Sequence, residues 1–123
     1  MNDWNNIRYF IQGEFDSPDK PGSGELMQEK FVQNLDELRS QCGFPFYITS
    51  GYRTLEHNQE VGGTTNSAHQ RGWAADISVS SNRQRFTLVN LALAMGITRI
   101  GIGNTFIHLD LDPASPPNVI WTY

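Results

Sequence analysis

The sequence predicts an α+β domain built on a mainly antiparallel sheet with flanking helices. Three observations carry that prediction. Two stretches repeat apolar residues at three- and four-residue spacing, the signature of an amphipathic helix. Several short stretches alternate, or concentrate β-branched and aromatic residues, as strands do. The order read along the chain is helix, strand, short helix, strand, helix and then three strands in succession, which favours neighbouring antiparallel strands over alternating parallel units. At 123 residues the chain is expected to form one domain, 1–123, large enough to bury a core without disulfide or metal staples.

Residues 1–24 read as an extended lead-in, with Trp4, Ile7, Tyr9, Phe10 and Phe15 as anchors docking onto the core and Pro18, Pro21, Gly22 and Gly24 marking a turn-rich loop. From Glu25 to Gln41 the residues Met27, Phe31, Leu35 and Leu38 predict a helix, with Gly43 placed to stop it. Pro45–Thr49 is a predicted strand, and Leu55–Val61 a short helix ended by Gly62-Gly63. Ala74–Val79 alternates as a strand that carries Asp76. Ser81 with Gln84 three residues later predicts a capping box opening a helix through Phe86, Val89, Leu91, Ala92 and Met95, stopped by Gly96. Arg99–Ile102 and Phe106–Leu111 form a predicted hairpin turning at Gly103-Asn104, and Val119–Tyr123 is a last strand.

Composition narrows the function. Charged residues make up 18% of the chain and the net charge is −4, so no basic field invites nucleic acid. The single Cys42 excludes an internal disulfide and a thiolate zinc cluster, and its place at the end of an apolar helical pattern predicts a buried structural thiol. No stretch approaches the roughly 20 apolar residues of a membrane span. The run Met1-Asn2-Asp3-Trp4-Asn5-Asn6 lacks the basic patch and apolar core of a signal peptide, so synthesis in a cytoplasm is expected.

The chemistry concentrates in Ser67-Ala68-His69-Gln70-Arg71-Gly72-Trp73-Ala74-Ala75-Asp76 and, far downstream, Ile107-His108-Leu109-Asp110. Two imidazoles and a carboxylate in strand-like surroundings are a set that zinc favours, with three protein ligands and a fourth position for water. Alternation puts Phe106, His108 and Asp110 on one strand face and Ile107, Leu109 and Leu111 on the other, so the polar set looks into a cleft or solvent. On spacing alone the same residues also fit plain roles, His69 in a loop, His108 a satisfied polar group and Asp76 a turn carboxylate. His57, between Glu56 and Asn58 on the short helix, reads as solvated and outside the metal set. Gly101-Ile102-Gly103 is no nucleotide loop, because Phe106 stands where a third glycine is needed and no helix follows.

An ordered series runs from Ser50-Gly51-Tyr52-Arg53-Thr54 through Asn58, Val61-Gly62-Gly63, Asn66-Ser67-Ala68-His69, Asp76, Gly101-Ile102-Gly103 and Phe106-Ile107-His108-Leu109-Asp110 to Trp121. It closely resembles the zinc D-alanyl-D-alanine carboxypeptidases and L-alanyl-D-glutamate endopeptidases that cut peptidoglycan stem peptides, whose fold is related to hedgehog signalling domains. The resemblance spans about Phe44 to Tyr123. It implies a hedgehog- and D-Ala-D-Ala-peptidase-like fold, a Zn2+ cofactor, and His69, Asp76 and His108 as its ligands. It implies a substrate-facing Arg53, which a structural ion pair would also explain. It implies a Ser67 that hydrogen-bonds substrate, or that packs the loop.

One departure matters. Many relatives place Glu or Asp three residues before the last histidine as the base for the zinc water, and here that position is Thr105. The nearest carboxylate is Asp110, expected either as the catalytic base or as a partner orienting His108. Trp73 is a candidate for the cleft wall, and Trp121 and Tyr123 for core or cleft wall. The resemblance implies a zinc peptidase acting on peptidoglycan peptides, D,D-carboxypeptidase or endopeptidase in type, and a monomer is expected. A phage lysis or tail-associated role would bring it to the cell wall after release or within a virion. The rival expectation is a catalytically inactive, zinc-stabilised module that binds wall peptide or serves as a virion structural part, a reading fed by Thr105.

Overall fold

A computed structural model describes residues 3–123; Met1 and Asn2, part of the run read above as lacking a signal peptide, lie outside the described residues. Among the described residues the fold is α+β: five strands in the order β1-β2-β4-β3-β5 with three α-helices. Strands β1 (Ile48–Ser50), β2 (Ala74–Ser78), β4 (Phe106–Asp110) and β3 (Arg99–Ile102) pair antiparallel in that spatial order, and β5 (Val119–Thr122) runs parallel to β3. The expected mainly antiparallel sheet is what forms.

The lead-in is not simply extended. It folds into three short 3₁₀ turns, Trp4–Asn6, Gln12–Phe15 and Ser23–Leu26. Local carboxylates drive this: Asp3 accepts from Asn5 N, Glu14 from Ile11 N, and Asp16 from both Gly22 N and Gly24 N. Phe10 and Phe15 are buried anchors as expected, whereas Tyr9 stays at the surface between the guanidinium groups of Arg8 and Arg39. Asp36 fastens the segment to the first helix by accepting from Arg8 N and Tyr9 N.

Helix α1 (Glu29–Cys42) starts four residues later than its apolar period suggests. Met27 is extended, and Gln28 is pulled out of helical pairing because its backbone N–H donates to Gly72 O at 3.0 Å and its side chain to Arg71 O. The start of α1 is thereby stitched to the loop that carries His69. Gly72 makes this possible: it has φ +78°, and a Cβ there would lie 2.3 Å from Leu26 O. Cys42 ends α1 half-buried rather than buried, and desolvation pushes its thiol up to about 11, consistent with a structural role.

Strand β1 is shorter than the expected Pro45–Thr49, beginning at Ile48 with an irregularity before Ser50; Pro45 has no N–H to give a ladder. Helix α2 (Leu55–Glu60) is capped by Thr54, and α3 (Asn82–Ala94) by Ser81, whose hydroxyl accepts from Gln84 N. One hydrophobic cluster joins Phe31, Leu35 and Leu38 of α1, Leu88 and Ala92 of α3, and the sheet residues Ala75, Ile77, Ile100, Ile107 and Leu109. Among the described residues no helix is long and apolar enough to cross a membrane.

Candidate metal centre

The sheet's second face carries the chemistry, and its register explains why. Ser50 pairs with Asp76, Asp76 with His108, His108 with Gly101, and Gly101 with Trp121, so one row of cross-strand partners runs across all five strands. The next row sets Asp110 between Ala74 and Arg99. Because residues alternate faces, the strands that bury Ile77, Ile107 and Leu109 must turn Asp76, His108 and Asp110 the other way.

His69 reaches the same point from a different direction. It sits on the 3₁₀ turn Ala68–Arg71, whose start is a capping box: Ser67 Oγ accepts from His69 N, and Gln70 Oε1 accepts from Ser67 N. The ring is fixed from behind by its Nδ1–H, which donates to Gly51 O at 2.8 Å. Its Nε2 is left facing the sheet. His108 is fixed in the same manner: its Nε2–H donates to Asp110 Oδ2 at 2.7 Å, which leaves Nδ1 facing inward.

Three donor atoms therefore converge. His69 Nε2 lies 3.3 Å from Asp76 Oδ1 and 3.3 Å from His108 Nδ1, and His108 Nδ1 lies 3.0 Å from Asp76 Oδ1. A tetrahedral ion with bonds of about 2.0–2.1 Å needs ligand atoms about 3.3 Å apart. The observed triangle has that size, and all three residues are buried. Two inward lone pairs and a carboxylate oxygen repel one another unless a cation or proton sits among them. Charge balance agrees. Burial lowers the His69 pKa and keeps that ring neutral, while burial of His108 is outweighed by its bonds to Asp110 and Asp76, which raise its pKa. Burial of Asp76 is likewise outweighed, and the neighbouring His108 and His69 imidazoles, with His108 hydrogen-bonded to it, hold it well below the usual carboxylate range. The raised pKa of His108 favours a proton in the place a cation would take, and metal binding there would compete with that proton.

The remaining expected residues are placed as follows. Arg53 lies on the cleft wall, with Nη2 donating to Asp76 Oδ2 at 3.3 Å, Nε to Ser50 Oγ and Nη1 to Asn58 Oδ1. It thus has both the ion pair and the cleft position that were expected as alternatives. Ser67 also lines the cleft, and its oxygen caps the His69 turn. Asp110 stands behind His108 rather than beside the donor triangle. Its Oδ2 holds His108, and its Oδ1 accepts from Arg99 Nε at 2.7 Å and from Asp112 N at 3.2 Å, with the residue 1% exposed. Those surroundings suit a partner that orients His108, with both carboxylate oxygens already accepting hydrogen bonds. Thr105 is exposed in the β3–β4 turn and is not on the cleft wall. Trp73 packs against the core instead of lining the cleft, while Trp121 and Tyr123 form a wall of it. His57 remains outside the triangle, partly buried 3.6 Å from Glu60 rather than fully solvated.

Some contributors carried no assigned role in the sequence reading. Asn58, 2% exposed, receives Arg53 and donates to Thr64 O and Gln70 Oε1, so one amide ties the arginine to the His69 turn. Arg99 opens β3 two residues before Gly101, and the same alternation that located His108 puts it opposite Asp110. The cleft above these groups measures about 660 Å³. It is lined by the donor triangle, by the loop 61–67 and by Phe106, Trp121 and Tyr123. Arg71 braces the loop, donating to Asn66 and pairing with Asp112.

No curated protein matches the chain. The family model described as Peptidase M15 matches residues 9–110, a span that takes in most of the lead-in, the His69 turn, Asp76 and His108, and the chain belongs to that metallopeptidase family.

Proposed function

We propose that this chain is a zinc-dependent peptidase that hydrolyses short peptidoglycan peptides, with His69, Asp76 and His108 holding the metal. The observation that carries the reading is the triangle of inward-turned donors, sized for a tetrahedral ion and opening onto a cleft. Bound zinc would polarise the scissile carbonyl and supply an acidic water. The chain's own residues do the rest. Gly51 O and Asp110 fix the two ring orientations, Arg99 holds Asp110 in place, and burial excludes bulk water from the floor. Arg53, locked by Ser50, Asn58 and Asp76, presents the outer edge of its guanidinium to a peptide carboxylate or carbonyl. Ser67 positions the peptide beside it.

One observation favours a second reading. Among the described residues Asp76 and Asp110 are the carboxylates lining the cleft, and both are engaged. A module that keeps its metal and binds wall peptide without cutting it would look like this. A muropeptide digest read by liquid chromatography and mass spectrometry separates the two. Zinc-loaded, chelated and zinc-restored protein would be compared. Loss of a defined residue or fragment that follows zinc is the expected result. No product from several wall chemistries, by protein carrying one equivalent of zinc, would favour the binding module instead.

A further inference from the structure

We propose that Arg99 forms a second carboxylate subsite, so that the peptide taken by this cleft carries an acidic group on each side of the bond lying over the metal. This rests on the peptidase reading above and names a feature of its substrate.

The placement follows from strand order. Arg53 is tied to Ser50 of β1 and Asp76 of β2, whereas Arg99 belongs to β3, and His108 lies on β4 between them. Neighbouring strands are about 4.8 Å apart, so β2 and β3 are separated by about 10 Å. Arg99 pairs with Asp110 in the register, two residues from the pair of Gly101 with His108, and shares their cleft face. Two guanidinium groups thus flank the donor triangle from opposite sides, and both line the cleft. An extended peptide advances about 3.3–3.6 Å per residue, so about three residues bridge them.

Direct contacts fix Arg99 beside the triangle. Its Nε donates to Asp110 Oδ1 at 2.7 Å, and Asp110 Oδ2 accepts from His108 Nε2 at 2.7 Å, so one carboxylate separates the guanidinium from a ligand ring. The guanidinium carbon also lies 5.3 Å from the centre of the Trp121 ring, which is itself 5.2 Å from the His108 ring. Nη1 donates to Pro116 O at 2.6 Å. Held in this way, the group loses little freedom on binding a ligand.

The donors are not used up. A guanidinium has five N–H groups. Among the described residues Nη2 of Arg99 makes no hydrogen bond, and the side chain is 17% exposed. Arg71, which also lines the cleft, differs: both of its terminal nitrogens are taken, by Asn66 and Asp112. The charged groups lining the cleft are Arg53, Arg71 and Arg99 against Asp76 and Asp110, and a divalent ion would add to the positive side. An anion balances this set, and a planar fork of N–H groups matches a carboxylate.

The test uses zinc-loaded, full-length protein and the synthetic stem peptide L-Ala-γ-D-Glu-meso-diaminopimelate-D-Ala-D-Ala, with each free carboxylate converted in turn to its amide. Stopped-flow tryptophan fluorescence reads binding ahead of turnover, and liquid chromatography with mass spectrometry reads products. In the parent protein, amidation of either of two carboxylates is expected to weaken binding about tenfold or more. Arg99→Lys keeps a cation beside Asp110 and gives up the fork. It is expected to hold one equivalent of zinc, to become about fivefold or more less sensitive to one of those amides, and to keep its sensitivity to the other. A purely structural role would weaken every peptide by one factor and leave the ratios parental, which would overturn the subsite. Should Arg99→Lys lose zinc, the parental series decides: sensitivity to two amides supports the subsite, and sensitivity to one or none overturns it. Selective binding without any product would overturn the peptidase reading and leave the subsite standing. Products with parental ratios in Arg99→Lys would do the reverse, and no binding of any peptide would overturn both.

Discussion

The two faces of one sheet behave as different materials. On the core face Ala75, Ile77, Ile100, Ile107 and Leu109 are fully buried and interact by contact alone. On the cleft face, the intervening residues Asp76, His108 and Asp110 are nearly as buried but form a chain of directed bonds from Arg53 through Asp76 and His108 to Asp110 and Arg99. The first face depends on volume, the second on which atom carries a proton. Loss of a methyl group from the core leaves a cavity of predictable cost, whereas loss of one donor from the chain strands the groups on either side of it. Stability and chemistry are thus separated by one residue along the same strand.

The sharpest way to break that separation compares His108→Ala with Leu109→Ala. The histidine variant is expected to lose equimolar zinc and at least about a thousandfold in turnover, because the metal-activated water goes with the ligand. The leucine variant is expected to lose about 2–5 kcal/mol in denaturant unfolding while its folded fraction still binds one zinc. Metal analysis beside urea titration reads both; a Leu109→Ala protein that folds but binds no zinc would show that the faces are coupled after all. Next in size, Asp110→Asn should weaken zinc about 10- to 100-fold by loosening the hold on His108. Competition with a chromophoric chelator measures it, and unchanged zinc affinity would return Asp110 to contention as the base.

The smallest effect is in pH. In the metal-free protein His69, its pKa lowered by burial, costs stability as pH falls below about 6.5, since the unfolded chain takes up a proton that the buried ring refuses. His108 works in the opposite window. Its pKa is raised by Asp110 and Asp76 against the effect of burial, so its contribution is complete below about 6.5 and is lost as pH rises through the folded value. Thermal unfolding of chelated protein should therefore peak near pH 6.5. Zinc-loaded protein should keep gaining stability toward pH 8, because the metal no longer competes with the proton on His108. Identical profiles for the two forms would sink the proton-for-metal exchange.

Much of this was legible in the sequence where a repeating period carried the signal. The alternation around His108 located the cleft face, and the spacing of Phe31, Leu35 and Leu38 located α1, because side-chain burial follows backbone geometry directly. What escaped depended on contacts between distant segments. The start of α1 moved because Gln28 donates to Gly72 O, a bond that the local pattern of Met27 and Phe31 cannot contain. The lead-in became turns through Asp16 and Glu14. The role of Asp110 was left open because the sequence shows a His-x-Asp pair but not which ring nitrogen the carboxylate meets; the structure puts Asp110 Oδ2 on His108 Nε2, which turns Nδ1 toward Asp76. Trp73 was a candidate for the cleft because it sits in the metal loop, yet it packs against the core, and adjacency in sequence says little where the chain turns at Gly72.

The row of partners from Ser50 to Trp121 also sets a parity rule for changing this protein. Lengthening the β3–β4 turn by one residue in a way that shifts β3 against β4 would put Ile100 or Ile102 opposite His108 and turn Arg99 inward, exchanging the two faces at once. Changes of strand register there are permitted only in even steps. The loop at 61–66 obeys no such rule, since it is braced by Asn58 and Arg71 rather than by a ladder. Insertions intended to reshape what the cleft admits belong in that loop, where length can vary freely and the metal floor beneath stays in frame.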